Sequence, residues 1–394
     1  QKLDVAELLE GSVQREQDRV RVTARLIRAQ DGFGLWSESF DRQLKDIFAV
    51  EDDIAQAVAS ALQVKLLASR SPAAVANSAT ISPEGYESFL HARYFEHMGD
   101  EASLKKALLY ANKAIESDPN FAPAYALRAD VQLIAAGMTW IDLSQASEAV
   151  RRDTEKTLAL DPNLADGYRL LSQISSWIES NCPAAETPMK RALDLAPGDP
   201  DNLGRSGMLA MCLGQPERAI QLWKQELVLD PLRPDEYLWL AQALRDLGRY
   251  EEADSALSKA LDLNPNQVEM IHEIKGEVYL AQGRPQDALP EMQMEPPGLF
   301  RDLGLALAYF ALNQRQESNA ALSRILAEYS QNAAYQIAQV YGYRSEVDQA
   351  FDWLNRAYAQ HDPGLMWIKT DPKLKSLRTD ARYSDMLRKL NLPE

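Results

Sequence analysis

The 394-residue sequence has few of the residues that catalysis and metal binding commonly require. It contains two cysteines and four histidines, and it has no HExxH pair, no paired CxxC motif, no glycine-rich phosphate loop and no GxSxG elbow. His272 lies beside Glu269 and Glu273, but a solvated helix face explains these neighbours. We therefore predict no catalytic residues, no metal site and no cofactor.

Long apolar runs and an excess of basic residues are also missing. No apolar segment approaches the roughly 20 residues that cross a bilayer, and no signal peptide is visible, so we expect no membrane insertion by this portion. The formal net charge is −16, and residues 71–394 carry −14 of it. Because an acidic surface repels phosphate backbones, we predict that this portion binds no nucleic acid and prefers cationic or mixed partners.

Five prolines mark regular steps in the middle of the chain. They are spaced by 43, 35, 34 and 34 residues and close the pairs Asp118-Pro119, Asp161-Pro162, Ala196-Pro197, Asp230-Pro231 and Asn264-Pro265. Before the last step, small and apolar residues follow two helical stripes, which a turn at Leu247-Gly248 separates. Ala241 and Ala253 would let these two helices cross closely. The pattern resembles the tetratricopeptide repeat, a helix–turn–helix unit with a period of about 34 residues.

This resemblance implies a mainly α fold, a right-handed superhelical solenoid of about eight helical hairpins in which each repeat packs only on its neighbours. Solenoids of this family usually bind proteins. We expect the repeats across residues 85–363 and a capping segment at residues 364–394. The approximate units are 88–121, 122–164, 165–199, 200–233, 234–267, 268–298, 299–330 and 331–363.

The second unit is longer than the others by nine residues, around residues 135–144. The extra residues predict either two longer helices or a protruding loop. Trp140 lies among them. It is a candidate partner contact if it is exposed, and the alternative is that it folds back onto its own hairpin.

Cys182 and Cys212 lie near the turns of adjacent repeats, so they could approach one another. Two cysteines do not make a disulfide scaffold, and we interpret them as free thiols that pack as small hydrophobic residues. The sequence alone does not decide whether they pair, and cysteine usage leaves the compartment open.

Residues 1–68 follow a period of two instead of a helical period. Charged or polar residues alternate with apolar ones over residues 19–26, and flanking turns predict further strands at 8–15 and 33–40. Residues 46–67 have a helical stripe and an acidic first turn. We therefore predict a small α/β remnant, with a three-stranded antiparallel sheet and one helix. A linker rich in serine, proline and alanine, at residues 69–84, separates it from the repeats.

The remnant resembles the carboxy-terminal half of the TolB-like domain that precedes tetratricopeptide repeats in bacterial regulators. The matching segments are LLEGSV at residues 8–13, RVRVTARLI at 19–27, GLWSESFD at 34–41 and DIFAV at 46–50. DPGLMWIK at 362–369 and LRTDARY at 377–383 are similar to the tail of the same architecture. Because the chain begins with Gln1 and the sheet is small, we expect that a front part is missing. The sheet edge near residues 8–15 would then be an association site, and we expect a homodimer through this sheet.

The concave groove is where this family binds partners, on the first helix of each hairpin. The groove positions predicted here are Glu96, Asp130, Arg169, Gln173, Met208, Met211, Leu238, Gln242, Arg245 and Glu277. Methionines adapt to varied apolar side chains, and the arginines could hold acidic groups of a protein or peptide partner. The alternative is a solvated, empty groove in which the methionines fill gaps between repeats.

Two functions fit these observations. The resemblance implies a non-catalytic interaction and regulatory module of a bacterial signalling protein, such as a winged-helix transcriptional regulator or a nucleotide cyclase. The alternative is a cell-envelope assembly scaffold, or a chaperone-like repeat protein, without an output domain. For the regulator we expect the periplasmic side of a membrane-anchored protein in preference to the cytoplasm.

Overall fold

The computed structural model describes residues 7–16, 19–30, 32–43, 53–54, 57–58, 82–138, 140–264 and 270–393. The chain divides into two compact units. Unit 1 comprises Gln1–Leu170 and Arg191–Asp199, and unit 2 comprises Leu171–Lys190 and Pro200–Glu394. The chain therefore passes from unit 1 to unit 2 and back within one stretch before it stays in unit 2.

Unit 1 contains the predicted antiparallel sheet. Its strands are β1 (Glu7–Glu16), β2 (Arg19–Arg28) and β3 (Gly34–Gln43), and they lie in the order β1-β2-β3. The alternation of the sequence places the apolar side chains of β2 on one face, where Ala24 and Phe40 are buried and Ile54 and Ala57 pack against them. The meander is thus confirmed, with each strand longer than predicted.

Most of the predicted helix at 46–67 and of the linker at 69–84 lies outside the described residues. Residues 53–54 and 57–58 are described, and they are helical.

In the described sheet β1 is an edge strand. Its Leu9 is 48% exposed and its Val13 is 68% exposed, so this edge also presents apolar surface.

Eight helix pairs follow in the described residues, as the repeats predict. They are α1 (Pro83–Met98) with α2 (Glu101–Ser117), α3 (Ala122–Gly137) with α4 (Leu143–Leu160), α5 (Ala165–Gln173) with α6 (Cys182–Leu195), α7 (Pro200–Cys212) with α8 (Pro216–Leu229), α9 (Pro234–Asp246) with α10 (Tyr250–Leu263), α11 (Ile271–Ala281) with α12 (Pro285–Met294), α13 (Leu299–Ala311) with α14 (Arg315–Tyr329), and α15 (Ala334–Tyr343) with α16 (Val347–Ala359). A π-helical turn, Ile174–Ile178, continues α5. The fold is therefore mainly helical, with a small amino-terminal sheet.

Small residues allow the two helices of a pair to approach closely. Gly207 of α7 lies under the Trp223 ring of α8, and a Cβ at this glycine would lie 2.6 Å from a ring carbon. Ala241 of α9 and Ala253 of α10 are fully buried in the next pair. Between those two helices Gly248 adopts a φ of 73°, which other residues rarely adopt. Steric size and backbone freedom thus fix the hairpin geometry.

The long second hairpin uses its extra residues to lengthen its helices. Helix α3 has 16 residues and α4 has 18. Between them, the Trp140 backbone N–H donates to the carbonyl oxygen of Ala135 at 3.0 Å, and the half-buried indole packs against the core of the first two hairpins. Trp140 therefore folds back onto its own part of unit 1, which was the alternative to a protruding contact.

Cys182 and Cys212 form a disulfide within unit 2. The interpretation as free thiols was therefore wrong. Cys182 begins α6 and Cys212 ends α7, so the turns of two adjacent repeats bring their side chains together. Sequence register placed them near one another, but only the packing of the two helices determines whether the sulfur atoms meet.

Two further findings limit the fold. Helix α12 is short, with 10 residues, and ends at Met294 before Glu295-Pro296-Pro297, because proline cannot continue a helix. Among the described helices, none has the length and apolar character required to cross a membrane.

Candidate functional site

The carboxy-terminal segment of unit 2 packs onto the first helices of several hairpins. This tail segment, residues 362–392, contains the 3-10 helices Pro363–Trp367 and Pro372–Leu377 and the helix α17 (Ala381–Lys389). Trp367 stacks on Trp239 of α9, with 5.7 Å between the ring centroids, and Leu374 lies against Gly342 of α15. We call the surface that it covers on α7, α9, α11 and α15 the tail groove.

Two turns of the tail segment have the same sequence pattern, Asp-Pro-x-Leu, at residues 362–365 and 371–374. In each turn the aspartate caps the 3-10 helix by accepting a backbone N–H at 2.9 Å, from Gly364 in the first turn and from Lys373 in the second. The proline presets the backbone for the first helical position. The leucines of both turns are buried. The two turns therefore dock by the same local design.

Tyr335 of α15 contacts both turns. Its backbone N–H donates to Asp362 at 2.9 Å, and its hydroxyl group donates to Asp371 at 3.0 Å. Gln339, one helical turn later, donates its amide to the same carboxylate of Asp371 at 2.6 Å. Gly364 lies on the Tyr335 ring, where a Cβ would come within 2.6 Å of a ring carbon. This contact explains why the first turn has glycine where the second turn has Lys373.

A buried ionic cluster surrounds the second turn. The Lys373 ammonium group donates to Glu277 of α11 at 2.6 Å, although 96 residues separate them in sequence. Arg245 of α9 pairs with the other oxygen of Glu277 and donates to Asp246 at 2.7 Å. Two cations and two carboxylates are thus in direct contact, and Asp371 lies 3.6 Å from the Lys373 ammonium group. The tail segment supplies one of the cations.

Burial and charge shift the pKa values in this cluster in opposite directions. Burial raises the pKa of Glu277, but Arg245 and Lys373 outweigh it and bring the value down to about 2. Burial and the charge of Glu277 raise the pKa of neighbouring Glu273 well above its ordinary value. Burial also raises the pKa of Asp246 to about 6, although Arg245 opposes the shift. Glu277 is therefore the permanent anion between the two cations.

The predicted groove residues of unit 2 are all buried: Gln173, Met208, Met211, Leu238, Gln242, Arg245 and Glu277. Of the predicted groove residues in unit 1, Glu96 is half-buried on α1, and Asp130 and Arg169 are buried as an ion pair. The unit 2 positions lie on the first helices α5, α7, α9 and α11, and the chain's own tail segment contacts Glu277 through Lys373.

Both predicted arginines hold carboxylates of the chain itself. Arg169 pairs with Asp130 and with Asp166, the latter at 2.7 Å, and Arg245 pairs with Asp246 and Glu277. Each arginine links the first helices of successive hairpins. Both guanidinium groups thus hold acidic groups, but these belong to the chain itself and not to a partner.

Sequence reasoning missed Tyr335, Gln339, Asp371 and Lys373. The repeated Asp-Pro-x-Leu pattern was the available signal, because two equal turns in one segment indicate two equal docking events. In the described part of the chain, no group of three histidine, cysteine, aspartate or glutamate residues is placed to hold a metal ion. His272, considered above for a metal site, pairs with Glu291 at 2.8 Å.

Comparison with known proteins agrees with the repeat architecture. The family model described as tetratricopeptide repeat matches residues 234–267 and 302–332, which correspond to the hairpins α9–α10 and α13–α14. A protein of Rhizobium meliloti (strain 1021) that is assigned as adenylate cyclase 3 is 30% identical over 182 residues. The match covers 45% of this chain and 30% of that relative, so the chain spans under a third of the relative's length.

A solved structure shows a similar fold. The crystal structure of the APC/C hetero-tetramer Cut9-Hcn1 has a TM-score of 0.51 at 16% identity, over 78% of this chain and 55% of that chain. A tetratricopeptide repeat protein from Parabacteroides merdae ATCC 43184 has a TM-score of 0.42 at 14% identity, over 63% of this chain and 94% of its own. At 16% identity the match to Cut9-Hcn1 shows the fold alone. The chain contains tetratricopeptide repeats, and repeats of this kind are protein-interaction scaffolds.

Proposed function

We propose that this chain is a non-catalytic, regulatory protein-interaction module of a bacterial signalling protein. The observation that carries the proposal is the set of eight helix pairs, two of which match the tetratricopeptide repeat model. The similarity to a protein assigned as an adenylate cyclase favours a signalling context over an assembly scaffold. In this proposal the amino-terminal sheet is the remnant of a TolB-like domain, and the repeats bind a protein or peptide.

The disulfide supports a compartment for this module. Disulfides persist in oxidising environments such as the bacterial periplasm and are rare in the cytosol. Because Cys182 and Cys212 are joined, we propose that the module lies on the periplasmic side of a membrane-anchored regulator.

Site-specific cross-linking in the bacterial host tests the interaction role. A photo-reactive residue replaces Glu96, on the first helix of the first hairpin, and in a matched variant it replaces Val228, which is 81% exposed on the second helix α8. We expect a discrete cross-linked protein from position 96 and none from position 228. Equal recovery from the two positions, or none from either, would contradict partner binding on the first helices.

The amino-terminal sheet adds a second surface, through which two copies of the chain would associate. Strand β1 is an edge of the described sheet and exposes Leu9 and Val13, and such edges pair readily with another strand. Light scattering at micromolar concentration should give a dimer that Val13→Lys weakens, whereas Val228→Lys should not. A wild-type monomer at that concentration would remove this part of the proposal.

A further inference from the structure

The two Asp-Pro-x-Leu turns of the tail segment are bound in the way that a groove binds a ligand. Each turn presents its capping aspartate to Tyr335 of α15, and its leucine is buried. The side chains of the tail groove read these features: the hydroxyl group of Tyr335 and the amide of Gln339 meet the second carboxylate. A carboxylate that accepts two side-chain hydrogen bonds in addition to its capping bond is recognised by its chemistry as well as by its shape.

The ionic contact of Lys373 supports the same reading. Replacing a buried ion pair by apolar residues often leaves stability unchanged or improves it, so a purely structural cap does not require one. Here the chain buries a lysine of the tail segment against Glu277, and Arg245 positions that carboxylate from the other side. Electrostatic complementarity of this kind selects a partner more than it strengthens binding.

The position of Lys373 within the turn makes the recognition specific. The neighbouring Lys375 belongs to the same 3-10 helix but is exposed. Lys373 therefore contacts the tail groove, whereas Lys375 faces solvent. The first turn has Gly364 at the position of Lys373 because the Tyr335 ring fills the space there. The second turn, Asp-Pro-Lys-Leu, is therefore recognised through its charged side chains, and the first turn is recognised through its shape.

We propose that the tail groove is a binding site for an Asp-Pro-Lys-Leu turn, and that the tail segment occupies it as an internal ligand in competition with a partner segment of the same chemistry. This rests on the proposed function, because it names the ligand of an interaction site in the repeats. A tethered ligand has a high effective concentration. An external segment therefore binds only when the tail segment is loosened.

A labelled peptide with the sequence of residues 369–380 tests this on the full chain. Lys373→Glu places a second negative charge beside Glu277 and should loosen the tail segment while it leaves every residue of the groove intact. Lys375→Glu makes the same charge change on the exposed lysine and is the matched control. Hydrogen exchange of residues 363–377 reports whether the tail segment opens, and fluorescence anisotropy reports peptide binding.

We expect faster exchange of residues 363–377 in Lys373→Glu, with unchanged exchange in strand β2. The peptide should bind this variant at least tenfold more tightly than it binds the wild type or Lys375→Glu. A peptide with Asp371→Asn should bind the loosened chain about tenfold more weakly, since one charge-assisted acceptor is lost.

Three outcomes would overturn the proposal. The first is an opened tail segment without peptide binding. The second is a tail segment that stays protected both in Lys373→Glu and in Leu374→Asp, since it would then be part of the core. The third is global unfolding of both variants, by circular dichroism, because the tail segment would then be required for folding. None of these outcomes touches cross-linking at Glu96, so the proposed function can survive the failure of this inference.

Discussion

Unit 1 and unit 2 contain the same type of buried ion pair, but they complete it differently. In unit 1, Arg169 pairs with Asp130 of the preceding hairpin, and Asp166 from its own helix, with a side chain 35% exposed, adds a second carboxylate. In unit 2, Arg245 pairs with Glu277 of the following hairpin, and Lys373 of the tail segment, 9% exposed, adds a second cation. The pair between repeats is thus a common device, and in unit 2 it also holds the tail segment.

The largest expected difference between the units comes from removing the central carboxylate of each pair. Glu277→Ala would remove the carboxylate that Lys373 and Arg245 share. Arg245 would keep Asp246 at 2.7 Å, but Lys373 would be left with Asp371 at 3.6 Å, and a buried charge that loses its close partner costs about 3–5 kcal/mol. Asp130→Ala should cost less, about 1–3 kcal/mol, because Asp166 still pairs with Arg169. Urea unfolding, followed by hydrogen exchange in each unit, measures both costs. Equal costs would show that the tail segment adds nothing to the pair in unit 2.

Removing the disulfide should also affect unit 2 more than unit 1. Cys182 and Cys212 are separated by 30 residues in sequence, and a cross-link over a loop of that length stabilises by about 3–4 kcal/mol in the chain-entropy model. We expect the double change Cys182→Ala and Cys212→Ala to lower the unfolding free energy of unit 2 by about this amount. Reduction of the wild-type chain should have the same effect, while strand β2 of the sheet keeps its hydrogen-exchange protection. A loss shared equally by both regions would contradict the assignment to unit 2.

A smaller difference should appear in the pH dependence of tail docking. Burial raises the pKa of Asp362 to about 6, although the hydrogen bonds that it accepts from backbone N–H groups lower it. Burial raises the pKa of Asp246 to a similar value. A carboxyl group whose pKa is raised on folding stabilises most below its unfolded value, near 4, and that contribution is lost as the pH rises through about 6. Glu277 has the opposite sign, and its contribution is lost as the pH falls from about 4.5 towards 2.

We therefore expect tail docking to weaken between pH 4 and 7 by about 1–3 kcal/mol for each raised group. Asp362→Asn removes one titrating group. The N–H groups of Tyr335 and Gly364 donate to different oxygens of Asp362, and the one amide oxygen of asparagine can accept from only one of them, so the variant should dock more weakly at every pH but with a flatter decline. Hydrogen exchange of residues 363–377 against pH measures the slope. An unchanged slope in Asp362→Asn would show that this carboxyl group stays charged throughout.

The repeats and the sheet could be predicted because their signals are local. The proline period sets the hairpin length, Ala241 and Ala253 mark a helix crossing, and the alternation in residues 19–26 marks a strand. The eight helix pairs and the meander follow these patterns. The end of α12 before Glu295-Pro296 has an equally local cause, because proline does not continue a helix.

The candidate site could be predicted only in part. Met208, Met211, Leu238 and Arg245 lie on the first helices α7 and α9 and are buried, and helical spacing alone could not show how far they are buried. Lys373 and Glu277 are 96 residues apart, and no local pattern connects residues at that separation. The disulfide between Cys182 and Cys212 could not be predicted either, because repeat register does not give the distance between the two sulfur atoms.

By itself the sequence determined which elements form, because steric size, turn propensity and apolar period act within about one repeat. It also determined the acidic character and the scarcity of catalytic groups. Only the tertiary structure decided that the tail segment lies on the first helices of unit 2 and that Arg169 and Arg245 hold the chain's own carboxylates. The physical reason is that burial and charge pairing depend on which distant segments meet, and that choice is made by the packing of the whole unit.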